Sequence, residues 1–290
     1  MMFSKLLALI NKVANDGFFD ATEKLNNFIY STDSFSDILT QIGTIPKAIA
    51  HDSTEEKLFA KASDAVLSRA FRELGLKSTV LSERADSADV IAESPLYGYT
   101  LVADAKAFRL SRTAKNQKDF KVTALSGWRK DADYAVLCSP YFQYQRKQGQ
   151  IYSQAIENNV CLLSWEHLMF MLKYKIKENE QINLSQLWNF SENLSHKTVV
   201  AKAKRCFIPE FNAECLSVTG LSQEDFDKSL IDCVSNIKNR GNAEKAYWEK
   251  ELETIKTYSR EKAITELIKS KKIDEKIRQI DLYIRGISRD

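Results

Sequence analysis

The most constraining feature of this chain is an abrupt change in its hydrophobic period near residue 89. Upstream, apolar residues recur at helical spacing, whereas residues 89–93 and 99–108 have the composition and alternation of strands. The residues between them include Pro95 and Gly98, which are typical of a turn. The sequence therefore predicts an antiparallel hairpin, so the fold must contain a sheet at this point.

Two charged side chains interrupt the apolar second strand of this hairpin. Asp104 and Lys106 fall on one face of a strand, roughly 7 Å apart along the backbone. Such a tripeptide on its own more often forms a strand-edge ion pair. Asp89, on the other strand, can place a second carboxylate beside Asp104, and a glutamate-bearing helix precedes both. This context favours a metal site, because buried charges need a partner or a metal ion.

The residue types indicate the chemistry of the site. Magnesium prefers hard oxygen ligands, so Asp89, Asp104 and the backbone carbonyl of Ala105 are the predicted ligands. Lys106 can orient the attacking water and stabilise negative charge on a phosphate. Glu56, on the upstream helix, can reach a second metal ion or the lysine. It can equally serve only the helix dipole, and Glu55 competes for the role.

These residues resemble the signature of the PD-(D/E)xK nucleases. Asp89 corresponds to the first acid, and Asp104-Ala105-Lys106 to the second half of the motif. Ala88 stands where the signature has proline, which leaves the ligands unchanged. The wider sequence is similar to the HindIII family of type II restriction endonucleases over nearly its whole length. The segments that carry this likeness are residues 53–59, 101–122, 133–137 and 164–168.

The resemblance implies a specific activity and specific partners. We expect a homodimer that uses Mg²⁺ to cut double-stranded DNA within the palindrome AAGCTT after the first adenine, leaving 5′-phosphate ends with a four-base 5′ overhang. A cognate DNA methyltransferase would protect the host. Two alternatives remain open: a structure-selective nuclease such as a junction resolvase, and a non-catalytic DNA-binding protein on a nuclease fold.

A basic segment follows the predicted metal site. Every third residue from 106 to 121 is basic, against a single acid, and a phosphate must bind next to the metal. Asn116 suits adenine and Asp119 suits the amino group of cytosine, so both are predicted to read base edges. A solvated helix face is the alternative. The predicted phosphate contacts in this segment are Arg109, Arg112, Lys115, Lys118 and Lys121.

Composition and apolar spacing set the fold class. A chain of 290 residues with 44% hydrophobic residues can bury a large core, and its 9 glycines and 4 prolines favour helix over strand. Two further apolar runs, residues 134–138 and 160–163, are predicted as buried strands that each follow a helix. We expect an α-rich α/β fold whose central mixed sheet is flanked by helices, as in restriction endonucleases.

The predicted organisation is one domain over residues 1–290. It comprises a helical part (1–50), a catalytic α/β core (51–180) and a helical C-terminal extension (200–290). The five cysteines show no CxxC spacing, and the apolar N-terminal stretch ends too early for a signal peptide or membrane span. We therefore expect a cytoplasmic protein with reduced thiols and no membrane association. The absence of HEXXH and GxxxxGK[ST] motifs disfavours a zinc hydrolase and an ATP-driven translocase.

Overall fold

The computed structural model describes residues 1–81, 87–111, 120–144, 149–197 and 200–287. Helices alternate with strands along the chain, and the strands form one mixed sheet. This confirms the predicted α-rich α/β fold class. The strands are β1 (Lys77–Val80), β2 (Val90–Glu93), β3 (Thr100–Ala105), β4 (Tyr134–Ser139) and β5 (Val160–Ser164). The helices, numbered within the described residues, are α1 (Met2–Val13), α2 (Phe18–Ser31), α3 (Phe35–Ile42), α4 (Thr54–Glu73), α5 (Val122–Trp128), α6 (Gln150–Glu157), α7 (Trp165–Lys173), α8 (Ser185–Trp188), α9 (Phe190–Lys197), α10 (Val200–Thr219), α11 (Gln223–Lys256), α12 (Arg260–Ser270) and α13 (Ile273–Ile287).

The sheet has an antiparallel half and a parallel half that meet at β3. The strand order is β1-β2-β3-β4-β5, with antiparallel pairing from β1 to β3 and parallel pairing from β3 to β5. The predicted turn between β2 and β3 is present, and Gly98 adopts a φ of 72° there. Parallel neighbours need crossover connections, which contain α5 and α6. Strand β1 was not predicted from the sequence, because its four residues, Lys-Ser-Thr-Val, are too few to show the two-residue period of a strand.

Helix α4 covers the antiparallel half of the sheet. Ser53 caps its N-terminus, since the Ser53 hydroxyl accepts a hydrogen bond from the backbone N–H of Glu56 at 3.1 Å. The helix ends before Gly75, whose φ of 99° suits glycine. Its buried residues include Phe59, Val66 and Phe71. Because α4 contacts β1, β2 and β3, a polar residue on its buried face must find its partner on the hairpin.

The segment that follows β3 is held from three sides. The backbone N–H of Lys106 donates to the carbonyl of Cys138 on β4 at 2.8 Å, and the Lys106 carbonyl accepts from the Trp165 indole at 2.9 Å. The Phe108 N–H donates to the carbonyl of Gly43 at 3.0 Å. Strand β3 was predicted to reach Phe108, but it ends at Ala105, because these contacts replace regular pairing beyond that residue.

The chain divides into two compact units, residues 1–234 and 235–290. The second unit contains the end of α11 together with α12 and α13, and Ser259 caps α12. Many of its apolar side chains are exposed, among them Leu267, Ile277 and Ile280. The single-domain organisation over residues 1–290 stays a prediction. Among the described residues, none of the helices is both long and apolar enough to cross a membrane.

Gly43 is predicted to be intolerant of a side chain. A Cβ atom there would lie 2.6 Å from Cδ1 of Trp165 and 3.2 Å from Cγ of Pro140, and the indole cannot retreat without losing its bond to Lys106. We expect Gly43→Ala to lower the free energy of unfolding by about 1–3 kcal/mol, as overpacking does. Urea denaturation followed by circular dichroism measures this change.

Gly127 supplies the matched control. It lies in α5, and a Cβ atom added there would meet nothing within 4 Å, so Gly127→Ala should be neutral or stabilising by up to about 1 kcal/mol. Equal unfolding midpoints for the two variants would show that the protein accommodates a Cβ atom at residue 43 and would contradict the prediction.

Candidate active site

Three carboxylates meet where α4 packs against the hairpin. Asp64 lies on α4, Asp89 immediately precedes β2, and Asp104 lies on β3. One oxygen from each of the three lies within 4.8 Å of the others. Asp64 and Asp104 are buried, whereas the side chain of Asp89 is 32% exposed. The structure thus brings together the two acids predicted from the hairpin and adds a third acid.

The register of the hairpin explains why two of these acids meet. Val90 pairs with Ala103, so Asp89 and Asp104 are the next residues in register. Asp64 was not identified from the sequence. Its signal was present, because Asp64 falls on the same helical stripe as Leu67 and Phe71, which are both fully buried. A carboxylate on that stripe requires a compensating partner across the helix–sheet interface.

Two lysines alternate with these three carboxylates. The Lys106 ammonium donates to Oδ2 of Asp104. The Lys61 ammonium, on α4, donates to Oδ1 of Asp89 at 2.5 Å and to Oδ2 of Asp64 at 3.4 Å. Each described carboxylate of the group therefore has a cationic partner. Asp104 and Lys106 were predicted to share one face of a strand; their side chains do meet, although Lys106 follows the end of β3. Lys61 was not identified from the sequence.

Burial dominates the electrostatics of the two inner acids. It raises the pKa of Asp64 well above its ordinary value, and the charge of Asp89 adds to this effect, while Lys61 opposes it. Burial also raises the pKa of Asp104, against the lowering effect of Lys106. Burial works to lower the pKa of Lys61, but Asp64 and Asp89 outweigh it, so the pKa of this ammonium is raised. Burial therefore disfavours the ionised form of both inner acids, and the neighbouring ammonium groups oppose that effect.

The donor set fits a hard divalent cation. Three carboxylates within 4.8 Å of one another offer the oxygen ligands that Mg²⁺ or Ca²⁺ prefers. Ala105 is the last residue of β3 and lies opposite Cys138 in the register, directly after Asp104. The ligand roles of Asp89, Asp104 and the Ala105 carbonyl stay predictions, to which the position of Asp64 adds a further candidate.

Glu56 lies outside the group of three acids. Its Oε1 accepts a hydrogen bond from Nη2 of Arg109 at 2.6 Å, and its Oε2 accepts from the backbone N–H of Asp52 at 2.7 Å. Burial works to raise the pKa of Glu56, but the bonds from Arg109 and Asp52 outweigh it, so the pKa is lowered. These contacts give Glu56 a structural role at the start of α4, and its catalytic role stays a prediction.

Two basic residues of the predicted DNA-binding segment, Arg109 and Lys121, are described by the structure, and they differ in exposure. The Arg109 side chain is only 11% exposed, and its guanidinium also donates to the carbonyl of Ile49 at 2.7 Å. Lys121 is exposed, precedes α5, and lies close enough to Asp104 to lower its pKa after the larger effects of burial and Lys106. The other predicted contacts, Arg112, Lys115, Asn116, Lys118 and Asp119, lie outside the described residues.

His167 and Glu166 have structural partners elsewhere in the fold. His167 bonds to the Ser164 hydroxyl at 2.7 Å and to the Asn212 amide oxygen at 2.8 Å, and burial lowers its pKa to about 4. Glu166 accepts a hydrogen bond from the backbone N–H of Tyr141 at 2.8 Å, and burial raises its pKa to about 7. His167 is therefore a buried residue with structural partners.

A mixed sheet that presents an acid, a second acid and a lysine from paired strands resembles the PD-(D/E)xK nucleases. Comparison with known proteins gives the family. The chain belongs to the HindIII restriction endonuclease family, whose profile matches residues 8–284. It is 45% identical over 285 residues to the type II restriction enzyme HindIII of Haemophilus influenzae (strain ATCC 51907 / DSM 11121 / KW20 / Rd), an alignment that covers 98% of this chain and 95% of that protein.

A solved structure of the restriction endonuclease FokI is also similar in part. The match has a TM-score of 0.38 and 12% sequence identity, and it covers 60% of this chain. The matched region corresponds to 34% of the FokI chain, so this chain spans about a third of that protein. The expectation of a restriction endonuclease is confirmed by the family. Such a family implies double-stranded DNA as the substrate and dependence on a divalent metal ion.

Substitution of Arg109 separates a structural role from phosphate binding. We expect Arg109→Gln to lower the free energy of unfolding by about 2–4 kcal/mol, because it leaves the Glu56 carboxylate half-buried without its charged partner. Thermal and urea unfolding, together with the salt dependence of DNA binding, measure both possible roles.

Lys121→Gln is the control, since this exposed side chain should change stability by less than about 0.5 kcal/mol. Its loss should instead reduce the slope of DNA affinity against salt by about one unit. If Arg109→Gln keeps wild-type stability and reduces that slope, then Arg109 is a phosphate contact, as the sequence suggested.

Proposed function

We propose that this chain is a type II restriction endonuclease that uses Mg²⁺ to hydrolyse double-stranded DNA at a palindromic site. The observation that supports this most directly is the group Asp64, Asp89 and Asp104 with Lys106, assembled in a chain of the HindIII family. Asp89, Asp104 and the carbonyl of Ala105 would hold the ion, and Asp64 is positioned to join them.

The residues of the site suit attack by water on a phosphodiester. When bound, the cation supplies Lewis acidity and lowers the pKa of a bound water. Lys106 positions the attacking water in line with the scissile bond and stabilises charge on the phosphate. The backbone of Lys106 is held on both sides, by Cys138 and Trp165, so its side chain starts from a fixed point. The bond to the 3′ oxygen breaks, giving a 5′-phosphate and a 3′-hydroxyl.

The proposed target is AAGCTT, cut after the first adenine to leave a four-base 5′ overhang. The 45% identity to HindIII over 98% of this chain supports this choice. Asn116 and Asp119 would read base edges, while Arg112, Lys115 and Lys118 would contact phosphates. A cognate methyltransferase would be the functional partner in the host, because an unmodified site in its own DNA would also be cut.

Digestion of a plasmid tests the activity and the target together. With Mg²⁺ we expect discrete fragments whose sequenced ends share AAGCTT, and we expect methylation of that site to block cutting. Lys106→Ala should reduce the cleavage rate about 100-fold or more while DNA binding persists, because the loss removes water positioning rather than affinity.

Two other outcomes of the digestion would each support one of the alternative functions. Ends without a common sequence, together with preferred cutting of branched DNA, would indicate a structure-selective nuclease. Equal DNA binding by wild type and Lys106→Ala, with no cleavage by either under any divalent metal, would indicate a DNA-binding protein without catalysis.

A palindromic target calls for two active sites related by a two-fold axis, so we propose a homodimer. Helix α13 supports this. Its isoleucines follow a 4-3-4-3 spacing, which is a heptad seam, and Ile273, Ile277 and Ile280 are 40–58% exposed. In a parallel pairing of two copies, Lys276 faces Asp281 of the second copy, whereas an antiparallel pairing places like charges together. The seam therefore suits a second copy of the same helix.

Sedimentation measures this association directly. We expect the wild type to have the mass of two chains and Ile277→Asp with Ile280→Asp to have the mass of one, because charge would replace the apolar seam. Phe19→Asp, at a side chain that is 69% exposed on α2, is the control and should remain a dimer.

The charge pairing offers a second measurement. Lys276→Asp alone should weaken the dimer, and Asp281→Lys added to it should restore the affinity. A wild type with the mass of one chain, or a double isoleucine variant that stays dimeric, would exclude this interface.

A further inference from the structure

Lys61 occupies an unusual position for a lysine near a metal site. Its ammonium lies between Asp89 and Asp64, at 2.5 Å from Oδ1 of the first and 3.4 Å from Oδ2 of the second. The side chains of Lys61 and Asp89 are both partly exposed, at 27% and 32%. Lys106, in contrast, contacts Asp104 within the strand segment. The two ammonium groups thus divide the three acids between them.

The carboxylates need this cation to remain together. Asp64 is only 3% exposed, and its oxygens cannot be compensated by bulk water. Three acids with oxygens within 4.8 Å of one another repel each other strongly where the surroundings are poorly polarisable. Lys61 reaches Asp64 from one turn away on α4 and Asp89 from across the helix–sheet interface, so it joins the helix to the hairpin.

The same contacts place Lys61 in competition with a metal ion. Asp64 and Asp89 would offer a divalent cation the same carboxylates that now accept hydrogen bonds from the Lys61 ammonium. The positive charge of this ammonium also repels an incoming cation. Lys61 is long and flexible, and its partial exposure gives the ammonium a route towards solvent.

We propose that Lys61 is a resident counter-ion of the metal site, which holds Asp64 and Asp89 in place and withdraws when a divalent cation binds. The proposal rests on the metal site of the proposed function and adds a device that sets its affinity. Lys61 is a positioning residue, since it acts through the two carboxylates. By keeping the ligands assembled but occupied, it limits binding of free cations and favours binding when a DNA phosphate supplies further negative charge.

Calorimetric titration of Mg²⁺ and Ca²⁺ alone, without DNA, into Lys61→Met tests this. Loss of the competing charge should tighten cation binding by about tenfold. Thermal unfolding in the presence of chelator should show a lower melting temperature than wild type, and saturating Ca²⁺ should raise the melting temperature of the variant more than that of wild type. Lys61→Arg, which keeps the charge, should stay near wild type in cation affinity.

Lys57→Met is the matched control, because Lys57 is exposed one turn earlier on the same helix. It should change neither the cation affinity nor the melting temperature. If Lys61→Met does not fold, Lys61→Gln replaces it, and the ammonium group of Lys61 is followed by NMR in the wild type. In protein with ¹⁵N-labelled lysine, the Lys61 ammonium signal should be protected from exchange and should lose that protection as Ca²⁺ is added.

The outcomes separate this proposal from the proposed function. If the wild type binds cations and Lys61→Met binds them equally or more weakly, the counter-ion role is wrong while the metal site stands. An ammonium signal that is unaffected by saturating Ca²⁺ has the same meaning. If neither the wild type nor Lys61→Met binds a divalent cation, and Asp104→Asn does not change the titration either, the metal site itself is wrong and both proposals fail.

Discussion

The burial of acidic charge between α4 and the hairpin is the constraint on which the rest of the site depends. Asp64 and Asp104 are nearly inaccessible, and Asp89 closes the group from the partly open side. Such a cluster is unfavourable unless cations alternate with it, and Lys61 and Lys106 provide that alternation. The arrangement links a helix, two strands and the segment after β3, so the geometry of the site and the packing of the core cannot vary independently.

The mixed sheet makes this arrangement possible. An antiparallel hairpin places two acids beside each other with a short connection, while parallel strand β4 supports the other edge of β3 through regular pairing. Beyond β3, the chain that carries Lys106 donates hydrogen bonds to the carbonyls of Cys138 and Gly43 and accepts one from the Trp165 indole. The lysine backbone is thus fixed by core contacts, and only its side chain has freedom to respond to a ligand.

The sequence was sufficient to identify those site residues that lie close to one another along the chain. The hairpin, Asp89, Asp104 and Lys106 were predictable because a two-residue period and a turn define their register. Asp64 and Lys61 were not, because their roles depend on how α4 lies on the sheet, which no local pattern specifies. Glu56 and Arg109 show the same limit: they are bonded to each other at 2.6 Å, a contact between distant parts of the chain that no local pattern specifies. The catalytic role of Glu56 and the phosphate contact of Arg109 stay predictions.

The side chains of the site differ in how far they are exposed, and this bears on the proposed binding of DNA. Asp104 and Asp64 are buried, whereas the side chains of Asp89 and Lys61 are 32% and 27% exposed. Lys121, which is exposed and close enough to influence Asp104, adds positive charge near the site. Lys61, which is bonded to Asp89, is also more exposed than Lys106, at 27% against 18% of the side chain. The proposed withdrawal of the Lys61 ammonium would therefore join cation binding to DNA binding through one side chain.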